Sequence, residues 1–451
     1  MPARAGLELR CIPRDAILQW SGRISSMTSE NNHQSGEPSG FDGLGIAEKL
    51  LAVLKAAGFT VPTPIQREAI PVGLKGRDII GIAQTGTGKT IAFAIPMIQR
   101  IAREGGQGLV VLPTRELALQ VDEEYKKLAK KAGLRTAIVI GGASMNVQRE
   151  QASRKPHVII ATPGRLIDIM DRGWVDLGKI SVLVLDEADR MFDMGFAPQI
   201  RRIMKNVPEE RQTMLFSATM PEPIERLAQQ YMHEPQRIEV ARSGTASALV
   251  EQSLFVVPKQ DKIRLLRHIL KEEKGTVLVF SRTKFGAKRI TRELKKVGEN
   301  AAEIHGNLSL AQRKKSLGGF KSGEYRILVA TDIAARGIDV TGISLVVNLD
   351  LPEQAEDYVH RIGRTGRAEH RGKAIAFAEP DQGPLVTGIE YLTGVILKPA
   401  KLPIEPSAPI ERPSTLANRR RPQRGPGGPR GRRPGGGGGR GPSRGPARRR
   451  R

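Results

Sequence analysis

The pattern that most limits this chain is a repeated alternation between short, continuously apolar runs and longer amphipathic stretches. Six apolar runs fall in its first half: "DIIGIA" (78–83), "LVVL" (109–112), "AIVI" (137–140), "VIIA" (158–161), "VLVL" (182–185) and "TMLF" (213–216). Segments with helical spacing separate them, such as "RELALQVDEEYKKLAKKAG". A strand that is apolar on both faces must be covered on both faces, and strands joined through helices run parallel. The pattern therefore predicts a buried parallel sheet with flanking helices, an α/β fold. It halts over 242–250, "RSGTASALV", and resumes with "TVLVF" (276–280), "RILVA" (326–330), "LVVN" (345–348) and "AIAF" from residue 374. Two tandem α/β domains are expected, over residues 41–243 and 250–405. The helical stretch "IAEKLLAVLKAAG", stopping at Gly58, opens the first.

The flanks are of a different kind. Residues 1–40 are polar and aperiodic, and residues 406–451 turn to Pro, Gly and Arg; both are expected to be disordered. Met27 is a second candidate start, and the first 26 residues do not read as a secretory signal. The formal net charge is +25, and its placement matters. Residues 412–451 hold fourteen Arg, no Lys and no acid, which leaves 25 − 14 = +11 for the rest. Such a balance calls for a polyanion, nucleic acid first. A single cysteine, Cys11, excludes an internal disulfide and a cysteine-built metal cluster. No run approaches the ~18 apolar residues of a membrane helix.

Between the first apolar run and the helix-like "IAFAIPMIQRIA" lies "AQTGTGKT", residues 83–90. It nearly fits the phosphate-loop pattern G-x-x-x-x-G-K-[ST], departing only in Ala83 at the first glycine position. Gly86 and Gly88 allow backbone N–H groups to close around phosphate oxygens, with Gln84, Thr85 and Thr87 completing the loop. Lys89 reaches the β- and γ-phosphates, and Thr90 is placed to ligate Mg²⁺. This loop changes the reading of "DEAD" (186–189). Alone, an acidic turn after a strand is unremarkable. With a phosphate loop upstream, Asp186 becomes a candidate Mg²⁺ ligand and Glu187 the group that orients and deprotonates an attacking water. Together the two motifs indicate nucleoside-triphosphate hydrolysis.

Further segments appear in order: "GFTVPTPIQ" (58–66) with Phe41 upstream, "PTRELALQ" (113–120), "GG" (141–142), "TPGR" (162–165), "SAT" (217–219), "VFSRT" (279–283), "ATDIAARGIDV" (330–340) and "HRIGRTGR" (360–367). With these, the chain resembles the DEAD-box ATP-dependent RNA helicases, most closely the bacterial RhlE-like branch. The match runs from about Phe41 to about Phe377. The resemblance implies two RecA-like domains that close around ATP and single-stranded RNA. It implies that Gln66 and Phe41 select adenine; a helix cap at Gln66 and a core Phe41 is the alternative. It gives Ser217 and Thr219 the task of bonding the DEAD segment and coupling hydrolysis to duplex separation. Arg364 and Arg367, one turn apart if the segment is helical, become finger residues for the γ-phosphate. Gly337 and Asp339 meet the ribose, and His360 bridges toward the DEAD segment.

Carried over by position, the RNA-facing residues are Thr114, Arg115, Gly142, Thr162 and Arg165 in the first domain, with Thr283, Arg313 and Thr331 in the second. Short hydroxyls, glycine backbone and Arg suit phosphate and 2′-OH recognition. Aromatic content is only 4%, which favours gripping the sugar–phosphate backbone without regard to sequence. One departure is visible: Leu310 stands where the family usually has Gln, and Gln312 is out of register. The implied partners are RNA, assisted by the basic tail, and proteins of ribosomal-precursor or RNA-degradation assemblies. No membrane partner is expected, and the core is expected to be a monomer in the cytoplasm. A second function class stays open, an ATP-timed RNA clamp or assembly scaffold with little net unwinding.

Overall fold

The computed structural model describes residues 40–84, 86–129, 132–240, 250–335, 340, 342–366 and 371–407. Residues 1–39 of the expected leader (1–40), the segment 241–249 and residues 408–451 of the expected tail (406–451) lie outside the described residues, as do Cys11 and Met27; Ser407 is bonded to Asp261.

The first lobe opens with α1 (Glu48–Ala56) and α2 (Pro64–Leu74). Strands and helices then alternate: β1 (Ile79–Ile82), α3 (Lys89–Glu104), β2 (Gln107–Val111), α4 (Arg115–Ala129), β3 (Thr136–Val139), α5 (Met145–Ser153), β4 (Val158–Ala161) and α6 (Pro163–Asp171). They continue with β5 (Ile180–Asp186), α7 (Ala188–Asp193), α8 (Ala197–Met204), β6 (Gln212–Ser217), α9 (Glu222–Tyr231) and β7 (Gln236–Glu239). The sheet is ordered β3-β4-β2-β5-β6-β1-β7, with every pair parallel. All six predicted apolar runs became strands.

Successive strand residues point to opposite faces, and this splits the lobe into two cores. Val182 and Val184 join Ile65, Phe93 and Tyr125 on one face. Leu183 and Leu185 join Met191, Ile200 and Ile203 on the other. Each such fully buried aliphatic side chain stabilises the fold by roughly 1.5–3 kcal/mol relative to exposure.

The second lobe runs β8 (Val250–Val256), α10 (Lys262–Glu272), β9 (Val277–Phe280), α11 (Lys284–Lys296), β10 (Ala301–Ile304), α12 (Leu310–Lys321), β11 (Ile327–Ala330) and α13 (Asp332–Ala335). It ends with β12 (Leu345–Asn348), α14 (Ala355–Ile362), β13 (Gly372–Ala378) and α15 (Gly383–Thr393). Its sheet is ordered β10-β11-β9-β12-β13-β8, again all parallel. Leu278 and Phe280 face one core, Val277 and Val279 the other.

Three strands were not foreseen. β7 and β8 are edge strands with one bonded neighbour each, so much of "QRIE" and "VEQSLFV" stays open and neither is continuously apolar. β10, "AAEI", is also an edge strand. β8 begins at Val250, the residue at which the second domain is expected to open, and Val250 pairs with Gly372. Among the described residues no helix is long and apolar enough to cross a membrane.

In parallel sheets of this kind, ligand sites form beyond the carboxyl ends of the strands. The loops after β1, β2, β3, β4, β5 and β6 all lie there in the first lobe, and they and the turns they open into carry its candidate residues other than Phe41 and Gln66, which precede β1.

Candidate active site and nucleic-acid interface

The phosphate loop leaves β1 at Ala83, which is buried, and enters α3 at Lys89. Its geometry depends on Gly88, whose φ of 90° lies in the left-handed region that side chains avoid. A Cβ at Gly88 would also collide with the Gln66 amide. Thr87 Oγ1 donates to the Gln84 carbonyl at 2.7 Å, which fixes the turn, and Thr90 is half-buried in the first turn of α3. Gly86 is exposed with φ 85°, and Thr85 lies outside the described residues.

Lys89 is buried. Its Nζ donates to the Ala83 carbonyl at 3.2 Å and stands 3.8 Å from Asp186 Oδ1. Asp186 closes β5. Burial pushes its carboxyl up to about 6, against the pull of Lys89 and with a further push from Glu187 and Asp189. Glu187 has φ 54° and ψ 51°, a left-handed conformation that costs a non-glycine residue about 1–3 kcal/mol. Its amide donates to Asp186 Oδ1 at 2.9 Å, and its Oε2 pairs with Arg190 Nε at 2.7 Å.

Asp189 turns toward β6. Its amide donates to Ser217 Oγ at 3.1 Å. Its Oδ2 accepts from the Ala218 amide at 3.1 Å, the Thr219 amide at 2.9 Å and Thr219 Oγ1 at 3.0 Å. The Ala83 amide donates to the Ser217 carbonyl at 2.9 Å. One bonded chain therefore joins Lys89, the phosphate loop, β6 and the DEAD turn.

Gln66 has both ends of its amide engaged. Oε1 accepts from the Thr63 amide at 3.0 Å, and Nε2 donates to the Gly88 carbonyl at 2.9 Å. It is thus a helix cap and a brace for the phosphate loop, with lone-pair and N–H capacity left for a base edge. Phe41 is 3% exposed and packs into the core of the first lobe, the position sequence left as the alternative to a stacking face.

The second lobe meets this cluster through a small cavity of about 10 Å³, lined by Arg190, Phe280, Asp332, Asp357, His360 and Arg364, among others. One expectation needs correcting here. α14 ends at Ile362, so Arg364 sits in the turn after the helix, not on a helical face. The Arg364 amide donates to the Arg361 carbonyl at 3.1 Å, and its Nε to the His360 carbonyl at 3.3 Å. Arg361 is held by Asp332 at 2.7 Å and Asn348 at 3.0 Å. Gly337, Asp339 and Arg367 lie outside the described residues.

On the same edge of the first sheet, Arg115 lies against Gly141 and Gly142. Gly142 has φ 76°, and a Cβ there would collide with the Arg115 guanidinium. Arg165 Nη1 donates to the Ala143 carbonyl at 3.2 Å, Thr162 precedes α6, and Thr114 Oγ1 accepts from the Leu117 amide at 3.3 Å. The five first-lobe candidates thus gather at the ends of β2, β3 and β4. In the second lobe Thr283 caps α11, accepting from the Gly286 amide at 2.9 Å, and Thr331 follows β11.

The DEAD/DEAH box helicase family model matches residues 63–227, and the helicase conserved C-terminal domain model matches residues 261–369. The ATP-dependent RNA helicase CshA of Listeria monocytogenes is 42% identical over 366 residues, which span 80% of this chain and 70% of CshA. The chain belongs to the DEAD-box ATP-dependent RNA helicase family. DbpA of Bacillus subtilis, also named an ATP-dependent RNA helicase, is 39% identical over 382 residues, 84% of this chain and 80% of DbpA. Among solved structures, S. cerevisiae Dbp5 bound to RNA and ADP BeF3 matches with a TM-score of 0.74 at 30% identity, covering 80% of this chain and 95% of that one. The two lobes are the RecA-like domains of a DEAD-box protein.

Against the DEAD-box motifs, three residues stand out that sequence reasoning passed over. Arg190, directly after the DEAD segment, is only 2% exposed and heads the largest fully buried side chains described. Its spacing of three from Glu187 on a short helix was the available signal. Asp189, given no role of its own from sequence, is the acceptor that ties "SAT" to the DEAD turn. Glu116 is buried and accepts from Arg313 Nη2 at 2.7 Å across the two lobes. A link spanning 197 residues leaves no local trace in sequence.

Proposed function

We propose that this chain is an ATP-dependent RNA helicase of the RhlE-like branch, hydrolysing ATP to separate short RNA duplexes or remodel RNA–protein complexes locally. The observation that carries this reading is the buried Lys89–Asp186–Glu187–Arg190 cluster on the first lobe, whose Arg190 lines one cavity with His360 and Arg364 of the second.

In this reading Gly86, Gly88 and the neighbouring amides cradle the phosphates, and Lys89 offsets charge on the β- and γ-phosphates. Gln66 reads the base, with Phe41 supporting from the core. Gly337 and Asp339 meet the ribose. Glu187, held by Arg190 in a strained backbone conformation, orients the attacking water and accepts its proton. Arg364, with Arg367, stabilises the charge that grows on the γ-phosphoryl group. A finger supplied from the second lobe makes hydrolysis wait for closure.

A buried carboxylate at Asp186 and the hydroxyl of Thr90 are hard oxygen donors near the phosphate loop. They suit Mg²⁺, which keeps several waters and needs few protein ligands. When bound, that ion neutralises the β- and γ-oxygens.

Thr114, Arg115, Gly142, Thr162 and Arg165 grip one stretch of RNA backbone, and Thr283 and Thr331 the next; Arg313, expected among them, is buried against Glu116 at 2.7 Å and joins the lobes instead. Ser217 and Thr219, tied to Asp189, relay the state of the DEAD turn to that grip, and His360 reports it to the second lobe. Partners in ribosomal-precursor or RNA-degradation assemblies, a monomeric core and a cytoplasmic location complete the proposal on the strength of the family resemblance.

The ATP-timed clamp is the second reading, and the buried Glu116–Arg313 link between lobes favours it. Steady-state ATP hydrolysis with and without RNA, for the intact chain and for Glu187→Gln, tests the leading one. Strong RNA stimulation is expected, with kcat falling about 10²–10⁴-fold in the variant. Equal, slow hydrolysis with and without RNA would put the clamp ahead. The lifetime of the RNA complex in ATP against a non-hydrolysable analogue separates the two directly.

A further inference from the structure

Helix α11, on the second lobe, is amphipathic in an unusual way. Ala287, Ile290, Thr291 and Leu294 face the core. Its outward face carries Phe285, Lys288, Arg289, Arg292, Lys295 and Lys296, all exposed, with a cation recurring about every helical turn of ~5.4 Å. The helix holds six cations and one acid, Glu293. That acid is engaged by Lys296 at 3.0 Å and Arg292 at 3.8 Å. Lys288, Arg289 and Lys295 have no ion pair among the described residues. The row lines a groove of about 690 Å³. Thr291, on the groove's inner side, has a buried hydroxyl with no hydrogen-bond partner among the described residues. Glu303 is the acid lining the groove, with His305 Nε2 at 3.7 Å from its Oε2. Arg267 of α10 is near enough to act on Glu293, so the positive surface continues onto the next helix.

Phe285 breaks the row at its first turn. It is 71% exposed, with Lys284 Nζ 5.4 Å from its ring centroid. Isolated exposed apolar residues are ordinary. An exposed aromatic face at the head of a cationic row is the arrangement that binds single-stranded nucleic acid, stacking one base while cations follow the backbone.

We propose that α11 is a second RNA track on this protein, leading away from the cleft. Phe285 stacks on a base, and Lys288, Arg289 and Lys295 hold successive phosphates. Two observations select RNA over an acidic protein segment. Phe285 is the one apolar residue among those lining the groove, so a peptide's apolar side chains find a single ring, and the face begins at Thr283, the residue that caps α11 and belongs to the RNA-facing set. The inference rests on the RNA reading of the cleft.

The experiment compares two RNAs on the full chain: one just long enough to fill the cleft, and the same RNA extended at one end or the other by a single-stranded arm. Affinity is followed against salt for the parent, for the triple variant Lys288→Gln/Arg289→Gln/Lys295→Gln, and for Phe285→Ala. In the parent, one extension tightens binding. In the triple variant that gain shrinks, and the slope of log K against log salt on the extended RNA falls by about 2 (about 0.7 for each of three lost phosphates). Phe285→Ala weakens binding of the extended RNA by about fivefold or more.

A gain and slope that survive intact in both variants overturn the track and assign the gain to other cations, the Arg-rich tail first. Displacement of the extended arm by an acidic polypeptide, with no difference between parent and variants on RNA, overturns it in favour of a protein partner. Failure of the short RNA to stimulate ATP hydrolysis in the parent overturns the cleft reading itself, a result separable from either of these.

Discussion

At the scale of single residues, the site is built from groups that are costly to bury and are buried in pairs. Arg190 is the clearest. A guanidinium with 2% exposure is tolerated because Glu187 lies 2.7 Å away, although Arg190 Nη2 has no hydrogen-bond partner among the described residues. Removing one member of a buried pair costs about 3–5 kcal/mol. Replacing Arg190 with Met is therefore expected to lower the thermal midpoint and, by loosening Glu187, to cut kcat for ATP about 10²-fold with little change in KM. Arg190→Lys should restore part of kcat. A variant in which KM rises and kcat holds would show that Arg190 serves substrate binding instead. Gly88 gives a second expectation. An Ala there combines a φ of 90° with a collision at the Gln66 amide, so Gly88→Ala should weaken nucleotide binding at least tenfold, measured by titration with a fluorescent ATP analogue. The need for glycine was legible from the motif. The pairing of Glu187 with Arg190 was not, because a charge run after a strand reads as a solvated face until burial is known.

Strands were legible where their residues are continuously apolar, even at an edge: β3, less buried than β10, is foreseen from its run. Strands covered on both faces, such as β4 and β5, announce themselves as apolar runs, whereas β7, β8 and β10 sit at sheet edges and carry mixed sequences. α14 illustrates a different failure. The spacing of Arg364 and Arg367 fits a helix, but the chain leaves the helix at Gly363, and local spacing carries no record of that. α12 shows how an element can matter through its first turn alone. Ser309 and Gln312 form a capping box, with mutual bonds of 2.9 and 3.2 Å. That fixes Gln312 as a cap and presents Arg313 and Leu310 to the first lobe, where Leu310 packs against the apolar core. The residue that departs from the family pattern thus contributes an apolar contact between lobes. Leu310→Gln is expected to weaken lobe–lobe association, read as a lower energy-transfer efficiency between dyes on the two lobes with ATP and RNA present. A double-mutant cycle of Glu116→Gln and Arg313→Met on the same readout should give a coupling of about 2 kcal/mol or more, since each single change strands a buried charge. Additive effects would mean that the pair is not formed in the closed protein.

The whole molecule divides its residues between lobes, and the division predicts how a mutation of the proposed finger, Arg364, behaves. The phosphate loop, the DEAD turn and Lys89 all belong to the first lobe, so ATP can be gripped without the second. Arg364 comes from the second lobe and reaches the cavity that Arg190 also lines. A group that meets the phosphates only on closure stabilises the transition state more than the ground state, and its loss belongs in kcat. Arg364→Ala is therefore expected to lower kcat by about 10³-fold or more, the range seen for arginine fingers. KM for ATP and affinity for RNA should stay within a few-fold, as measured at saturating RNA. Arg364→Lys should recover little of this, because an ammonium lacks the planar fork that spans two phosphate oxygens. If KM rose instead, with kcat preserved, the arginine would be gripping ATP before closure. The two lobes would then share the binding step, and hydrolysis would no longer depend on bringing them together.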